Sequence, residues 1–249
     1  MWRALREPSH YRAAANMLRR YPRPVDAVAR YVFGRGAYPA NVAVRTPVGR
    51  VSPRLYAPDD MLTLNEVFCR LDYALDEPAR VVVDLGSNIG LSALYFLTRA
   101  SRPFCHLYEP DPRNASRLRD NLERFGGRWE LAEAAVAPRA GRVRFATEPT
   151  GRYGRVGDAP SDAAITVDCL AINDVLDRAL SRTGTIDLVK IDTEGLELAT
   201  VRAMDPTLLR RVRAIVFEAF DEKPDGPLHP ALFTQQLRGS VCRLTRRRD

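Results

Sequence analysis

Short runs of β-branched and apolar residues, each closed by an acid and a turn, recur along the chain. The first comprises residues 81–83, followed by Asp84, a glycine-containing turn at 86–90 and an apolar segment at 91–97. Valines in such a run suit a strand that is buried on both faces. Glycines in the turn allow the backbone to bend sharply and to approach a ligand closely. The pattern predicts the opening strand–turn–helix unit of an α/β nucleotide-binding sheet, with its first strand at 80–84.

The same alternation continues to residue 218 and predicts an α/β fold. Further strands are predicted at 104–108, 129–136, 141–146, 165–168, 185–191 and 212–218. Helices are predicted at 114–122 and 171–180. The segment 147–162 is rich in Gly, Pro, Arg and Asp without periodicity, which indicates a long loop of the kind that is functional or mobile.

The N-terminal part differs from this pattern. Residues 1–35 are basic and helix-like with proline breaks, and a hairpin is predicted around residues 47–49, followed by a helix at 65–75. We therefore expect an accessory segment of helices and a hairpin over 1–79 and a ligand-binding core over 80–249. A length of 249 residues with 45% hydrophobic residues is sufficient for such a core.

The turn after the first strand indicates which ligand is bound. Its glycines, Gly86 and Gly90, do not form the G-x-G-x-x-G pattern, and Asn88 would crowd a pyrophosphate. An acid at the strand end, Asp84, can hold an ammonium group, and Glu109 after the second strand can accept both hydrogen bonds of a ribose diol. S-adenosylmethionine carries both groups. The predicted cofactor-binding residues are Asp84, Gly86, Ser87, Asn88, Gly90, Glu109 and Asp111.

A charged pair marks the strand at 185–191. Lys190 and Asp192 are two residues apart and so share one face of the strand. Among 38 basic residues, only Lys190 and Lys223 are lysines, which suggests a specific use for a compact ammonium. A structural ion pair and a catalytic role both remain open for Lys190 and Asp192.

Four segments together resemble the FkbM family of S-adenosylmethionine-dependent methyltransferases. They are VVVDLGSNIG at 81–90, YEPDP at 108–112, DLVKIDTEGLE at 187–197 and IVFEAF at 215–220. The resemblance implies a Rossmann-like class I methyltransferase, with a central, mostly parallel sheet flanked by helices. It also implies O-methylation of a hydroxyl on a small molecule, a sugar or another natural product. The acceptor can then be glycosylated, and a homodimer is a further expectation.

The end of the chain departs from this family pattern. Sheets of such methyltransferases finish with an antiparallel pair of strands. After residue 218 the sequence predicts a loop at 221–230, a helix at 231–237 and a single strand at 240–245. We therefore expect the final strand of the sheet to be absent.

Methyl transfer to a hydroxyl needs a group that removes a proton. Asp192 is the first candidate base, and Lys190 is the second if burial lowers its pKa. Glu194 and Glu218 converge on the same carboxyl edge of the sheet, where ligands bind, and His229 is a weaker candidate. A Mg²⁺-assisted reaction on the three carboxylates is an open alternative. The rival classes are a nicotinamide-dependent oxidoreductase and a binding module without chemistry.

Charge and cysteine content exclude several other classes. The net charge of +7 comes from arginines spread over the whole chain, without the aromatic-and-basic stripe of nucleic-acid binders, so we expect no specific nucleic acid. None of the four cysteines forms a C-x-x-C pair, which predicts reduced thiols and no structural metal. No signal peptide or membrane span is visible, so a cytoplasmic enzyme is expected.

Overall fold

The computed structural model describes residues 8–147, 155–156, 164–219 and 223–247. The chain forms two compact units, Met1–Pro78 and Ala79–Asp249. The division adjoins the predicted one between residues 79 and 80.

The N-terminal unit combines helices with short antiparallel strands. Its elements are α1 (Pro8–Arg20), α2 (Pro24–Phe33), β1 (Ala40–Asn41), β2 (Val44–Thr46), β3 (Gly49–Val51), β4 (Arg54–Leu55), α3 (Pro58–Asn65) and a π-helix (Glu66–Arg70). Strands β2 and β3 pair antiparallel, which confirms the predicted hairpin. The predicted helix at 65–75 begins earlier, because the Asp60 carboxylate accepts from the Tyr56 and Ala57 N–H groups at 2.6 and 3.0 Å and so caps α3. The helical segment also ends earlier, at Arg70, because Leu71 has a left-handed φ of +66°.

The second unit is built around a central sheet. Its strands are β5 (Val81–Leu85), β6 (Phe104–Tyr108), β7 (Trp129–Ala132), β12 (Ile186–Ile191), β13 (Val212–Glu218), β14 (Phe233–Arg238) and β15 (Val241–Arg246). They lie in the order β14-β15-β13-β12-β5-β6-β7, and all neighbours from β13 to β7 are parallel. The strand order reverses between β5 and β12, the place where open α/β sheets bind ligands.

The far edge of this sheet corrects two predictions. Residues 233–238 form strand β14 and not a helix, and β14 pairs antiparallel with β15, which in turn pairs antiparallel with β13. The final antiparallel pair is therefore present. Leu and Gln residues favour a helix intrinsically, but pairing along β15 and burial of Phe233 decide the strand, as tertiary context often does for edge segments.

A second, smaller sheet lies beside the central one in the same unit. It contains β8 (Ala135–Ala137), β9 (Gly141–Ala146), β10 (Arg155–Val156) and β11 (Ala164–Ala171), in the order β10-β9-β11-β8. The predicted single strand at 129–136 is thus two strands that belong to different sheets. Most of the predicted loop at 147–162 lies outside the described residues.

Helices flank the central sheet, as predicted. They are α4 (Leu91–Leu97), α5 (Pro112–Leu122), α6 (Ile172–Thr183), α7 (Glu197–Arg202) and α8 (Pro206–Leu209). The apolar sides of α6 and α7 pack on one face of the sheet against residues such as Val83, Val189 and Ile215. Because strand side chains alternate, Asp84 and Lys190 point to the opposite face, where Ser92 of α4 lies.

Candidate active site

A cleft of about 550 Å³, counting space open to solvent, lies at the carboxyl ends of β5, β6 and β12. Five predicted site residues line it, namely Gly86, Asn88, Glu109, Asp192 and Glu194. The sequence therefore identified residues from three separate segments that the fold brings to one cleft.

The turn after β5 packs directly against the turn after β12. Gly86 has a φ of +74°, and a Cβ at this position would overlap the backbone carbonyl oxygen of Asp192. The N–H groups of Gly86 and Ser87 both donate to the Tyr108 carbonyl at 3.0 Å. Only glycine allows this approach, so the residue is required by packing as well as by its position in the cleft.

Glu109 is held at the end of β6 by backbone groups. Its Oε2 accepts from the Asn88 N–H at 2.8 Å and its Oε1 accepts from the Asp111 N–H at 2.9 Å. Burial nevertheless raises the pKa of this carboxyl to about 7, since desolvation outweighs those two hydrogen bonds. A carboxyl that is buried, fixed and turned to a cleft can receive two hydroxyl donors.

Asp111, Ser87 and Gly90 have structural contacts of their own. Asp111 is the N-cap of α5 and accepts from the Arg113 N–H at 2.8 Å. The Ser87 hydroxyl donates to the Asp84 carbonyl at 2.8 Å. A Cβ on Gly90 would press on Leu118 of α5, so this glycine serves helix packing. None of the three is among the residues lining the cleft.

Asp84 and Lys190 form an ion pair beneath the cleft. The Asp84 side chain is 0% exposed, its Oδ1 lies 3.1 Å from Lys190 Nζ, and its Oδ2 accepts from the Ser92 hydroxyl at 2.6 Å. Lys190 Nζ also donates to the Gly86 carbonyl at 2.7 Å and lies 3.4 Å from Asp192 Oδ2. The Lys190 ammonium thus contacts the turn after β5, the turn after β12 and, through Asp84, strand β5 of the sheet.

The electrostatics of Lys190 bear on its candidacy as a base. Burial works against the charged form, but Asp84 and Asp192, with a smaller contribution from Glu218, outweigh it and raise the pKa of Lys190 above its ordinary value. The condition under which Lys190 was the second candidate base, a pKa lowered by burial, is therefore not met. An ammonium of this kind holds neighbouring groups in place and does not accept a proton near neutral pH.

The turn after β12 carries the two carboxylates that reach the cleft. The Asp192 N–H donates to the Leu85 carbonyl at 3.1 Å, and the Asp192 side chain is 29% exposed. Glu194 has a φ of +56°, a conformation that residues other than glycine seldom adopt. Both residues line the cleft together with Thr193.

Two other predicted residues lie elsewhere. Glu218 ends β13, opposite Val241 of β15, and is not among the residues lining the cleft. His229 Nε2 lies 2.7 Å from the Val201 carbonyl oxygen, which engages the ring in a structural contact. Among the described residues, no group of three His, Cys, Asp or Glu side chains is arranged to hold a metal ion.

Sequence reasoning did not name the side chains that form the walls of the cleft, although Val156 lies in the loop at 147–162 that was predicted to be functional or mobile. The walls are formed by Tyr108, Pro110, Asn114, Ala134, Ala135, Val136, Phe145, Val156 and Thr193. Phe145 and Val156 belong to the small sheet, so they reach the cleft through tertiary packing. Nothing in the local pattern of 141–146 distinguishes a cleft wall from an ordinary strand. Tyr108 and Pro110, by contrast, belong to the YEPDP segment that the sequence analysis singled out.

The strand order, the antiparallel last strand and a cleft at the reversal point define a class I S-adenosylmethionine-dependent methyltransferase. The chain matches the model of the methyltransferase FkbM domain over residues 84–237, more than half of its length, and belongs to that family. The resemblance drawn from the sequence is thereby confirmed. Across the described residues, no helix has the length and apolar character needed to span a membrane.

Three characterised relatives are similar over most of the chain. The 2-O-methyltransferase NoeI of Sinorhizobium fredii is 27% identical over 60% of this chain and 67% of its own. The hexuronic acid methyltransferase AglP of Haloferax volcanii is 23% identical over 68% of each chain. The 31-O-demethyl-FK506 methyltransferase FkbM of Streptomyces tacrolimicus is 26% identical over 74% of this chain and 83% of its own.

The cleft suits S-adenosylmethionine, the methyl donor of this class. Glu109 offers a fixed carboxyl for a diol, and Gly86 offers backbone without a side chain in the way. The apolar side chains of Ala135, Val136 and Phe145 form a wall that a flat ring can contact. Bound there, the cofactor supplies an electrophilic methyl group on a sulfonium.

Proposed function

We propose that this protein methylates a hydroxyl oxygen of a small molecule, of the sugar or natural-product type. The observation that carries the proposal is the juxtaposition of Glu109 and Asn88 with Asp192 and Glu194 along one cleft. The first pair suits the cofactor and the second pair offers carboxylates beside it. The names of the three relatives, two of which specify O-methylation, support the same reaction.

Asp192 is the proposed general base. Its carboxylate is partly exposed to the cleft while Lys190 holds its other side at 3.4 Å. This arrangement fixes the direction of the carboxylate, so that a hydroxyl placed in the cleft can give up its proton. General base catalysis of this kind contributes typically about 10²–10⁴-fold. Glu194 lies on the same turn and is proposed to orient the acceptor hydroxyl.

The remaining predicted residues act in support. Glu109 is proposed to receive the ribose hydroxyls, and the backbone at Gly86 and Asn88 to border the methionine part. Asp84 and Lys190 are proposed to position these groups from below, since their ion pair is buried and Lys190 Nζ donates to the Gly86 carbonyl at 2.7 Å. Ser87, Gly90 and Asp111 shape the turn and α5, and Glu218 adds negative charge near Lys190.

A turnover assay tests the proposal. The purified protein is incubated with S-adenosylmethionine and a panel of sugars, glycosides and hydroxylated polyketides, and release of S-adenosylhomocysteine is measured with and without EDTA. Asp192→Asn and Glu194→Gln should lower kcat about 10²-fold or more, while cofactor affinity stays within a few-fold. Asp120→Asn, an exposed Asp on α5, is the matched control. Normal turnover in Asp192→Asn would remove the assigned base.

The rival classes are separated by titration. Calorimetry with S-adenosylmethionine and with NADH should give binding for the first and none for the second, because the turn lacks a third glycine and carries Asn88. Activity that survives EDTA would remove the magnesium alternative.

Three finer expectations belong to this proposal. A glycosylated acceptor is tested by comparing glycosides with their aglycones in the panel. A homodimer is tested by light scattering of the purified protein. The cytoplasm, where S-adenosylmethionine is made, is tested by fractionation of cells that express the chain.

A further inference from the structure

Glu197 holds the turn that carries the cleft carboxylates. It is the first residue of α7, and its side chain is turned back toward residues 193–195 and is only 8% exposed. Its Oε1 accepts from the Thr193 N–H at 2.7 Å and lies 3.3 Å from the Thr193 hydroxyl. Its Oε2 accepts from the Gly195 N–H at 2.9 Å. Both oxygens of one carboxylate are thus occupied by the same turn.

The two N–H groups that Glu197 accepts flank Glu194 on both sides. Glu194 has a φ of +56°, in the left-handed region that L-residues with long side chains disfavour. Such conformations persist only where surrounding contacts fix them. The bonds fix the Asp192–Thr193 and Glu194–Gly195 peptide units, which enclose Thr193 and Glu194, so they restrain the direction in which the Glu194 side chain leaves the backbone.

Neither Leu196 nor the surroundings of Gly195 supply this restraint. Leu196, the N-cap of α7, makes no side-chain capping bond, and a Cβ on Gly195 would meet no atom within 4 Å. Packing therefore leaves room around Gly195 for the turn to take another shape. The carboxylate of Glu197 is the contact that spans residues 193 and 195.

We propose that Glu197 is a positioning residue for methyl transfer, which acts by presenting Glu194 and Asp192 to the acceptor. The proposal rests on the proposed function, because it assigns the acceptor side of the cleft to the turn after β12. Glu197 itself does not line the cleft, so its effect passes through the backbone. It should leave the cofactor side, held by Glu109 and the turn after β5, unchanged.

Glu197→Gln is the test variant, because it keeps the size of the side chain. An amide has one acceptor oxygen, and its NH₂ group faces an N–H donor, so at least one of the two backbone bonds is lost. We expect kcat to fall about 10–100-fold, as small misplacements of reacting groups do. The dissociation constant for S-adenosylmethionine should change less than about threefold. Glu123→Gln, an exposed residue with the same change of charge, is the control.

Two further measurements distinguish positioning from plain stability. In Glu197→Gln, amide exchange should speed up at residues 193–195 and stay constant at residues 86–90, a result that needs no acceptor. The losses of kcat from Glu197→Gln and Glu194→Gln should be less than multiplicative in the double variant, because Glu197 acts in part through Glu194. A general loss of stability would instead speed exchange throughout the unit and multiply the two rate effects.

The proposal is overturned if Glu197→Gln retains normal kcat, or if exchange at 193–195 is unchanged. It is also overturned if cofactor affinity falls as much as kcat. The proposed function fails differently, through normal turnover in both Asp192→Asn and Glu194→Gln. A failure of the positioning role and a failure of the proposed function are therefore observed in different variants.

Discussion

The two turns at the carboxyl edge of the sheet are built in different ways. The turn at 86–90 is held by two backbone bonds to the Tyr108 carbonyl, from the Gly86 and Ser87 N–H groups, and by the Glu109 carboxylate, which accepts from the Asn88 N–H. The turn at 192–196 has a backbone bond from the Asp192 N–H to the Leu85 carbonyl, but its next N–H groups, of Thr193 and Gly195, both donate to the Glu197 side chain. Lys190 contacts both turns. Each contains a residue other than glycine in the left-handed region, Asn88 or Glu194.

Asn88 and Glu194 are stabilised in the left-handed region by different contacts. Asn is among the residues that tolerate the left-handed region, and the Asn88 side chain stabilises it locally by accepting from the Ile89 N–H at 2.7 Å. Glu is less suited to this region, and at Glu194 the neighbouring N–H groups of Thr193 and Gly195 both donate to Glu197. Under the proposed function the turn at 86–90 borders the cofactor and the turn at 192–196 borders the acceptor, and the contact with Glu197 means that a single substitution can alter the second turn.

The largest expected effect comes from adding a side chain at Gly86, where the two turns are in direct contact. Gly86→Ala places a methyl group on the Asp192 carbonyl, and we expect it to prevent folding or to cost more than about 4 kcal/mol. Gly195→Ala has open space but a φ of +113°, so it should cost about 1–3 kcal/mol. Gly141→Ala, with open space and ordinary backbone, should be nearly neutral. Urea unfolding measures all three, and equal losses would contradict the close approach.

The next effect comes from removing the ammonium that both turns share. Lys190→Met leaves Asp84 buried without its partner, which should cost about 3–5 kcal/mol of unfolding free energy. Adding Asp84→Asn should recover part of that loss. Lys223→Met, the same change at an exposed position, is the control. A stable Lys190→Met protein with lost turnover would instead favour a direct catalytic role.

These contacts mark where sequence reasoning ends. The strands from β5 to β13 follow from runs of buried residues, and the cleft acids follow from their place at strand ends. The partner of Asp84 does not follow from the sequence, because Lys190 and Ser92 approach Asp84 from other elements. From the sequence, an ammonium group of the cofactor was an equally good partner for this acid. Strand β14 was missed for a similar reason: Gln235, Gln236 and Leu237 suit a helix until β15 lies beside them.

A smaller effect concerns the cofactor turn and depends on pH. Glu109 has a pKa of about 7 in the folded chain, raised by burial, against 4.5 for an ordinary Glu. Hydroxyl groups donate to its ionised form, so affinity for S-adenosylmethionine should rise between pH 6 and pH 8. Glu109→Gln should weaken binding by about 1.5–3 kcal/mol for each charge-assisted bond lost and remove this dependence. Calorimetry at several pH values, on the wild type and on Glu109→Gln, measures both the affinity for S-adenosylmethionine and its pH dependence.

The same raised pKa predicts the effect on folding. The folded state holds the proton more tightly than the unfolded state, so the stability from this group is complete below about pH 4.5 and is lost as pH rises through 7. Relative to Glu109→Gln, the wild type should therefore lose unfolding free energy over that window. A difference that is constant with pH would show that Glu109 is ionised in the folded chain.

The smallest expected effect concerns a histidine outside both turns. His229 contacts the Val201 carbonyl through its Nε2, at 2.7 Å, and is not among the residues lining the cleft. His229→Ala should cost about 1 kcal/mol of stability, the value of one hydrogen bond, and leave kcat and its pH profile unchanged. The proposed function assigns proton removal to Asp192 and orientation of the acceptor to Glu194. A hundredfold loss of kcat in a stable His229→Ala protein would move the base away from both turns and would end that assignment.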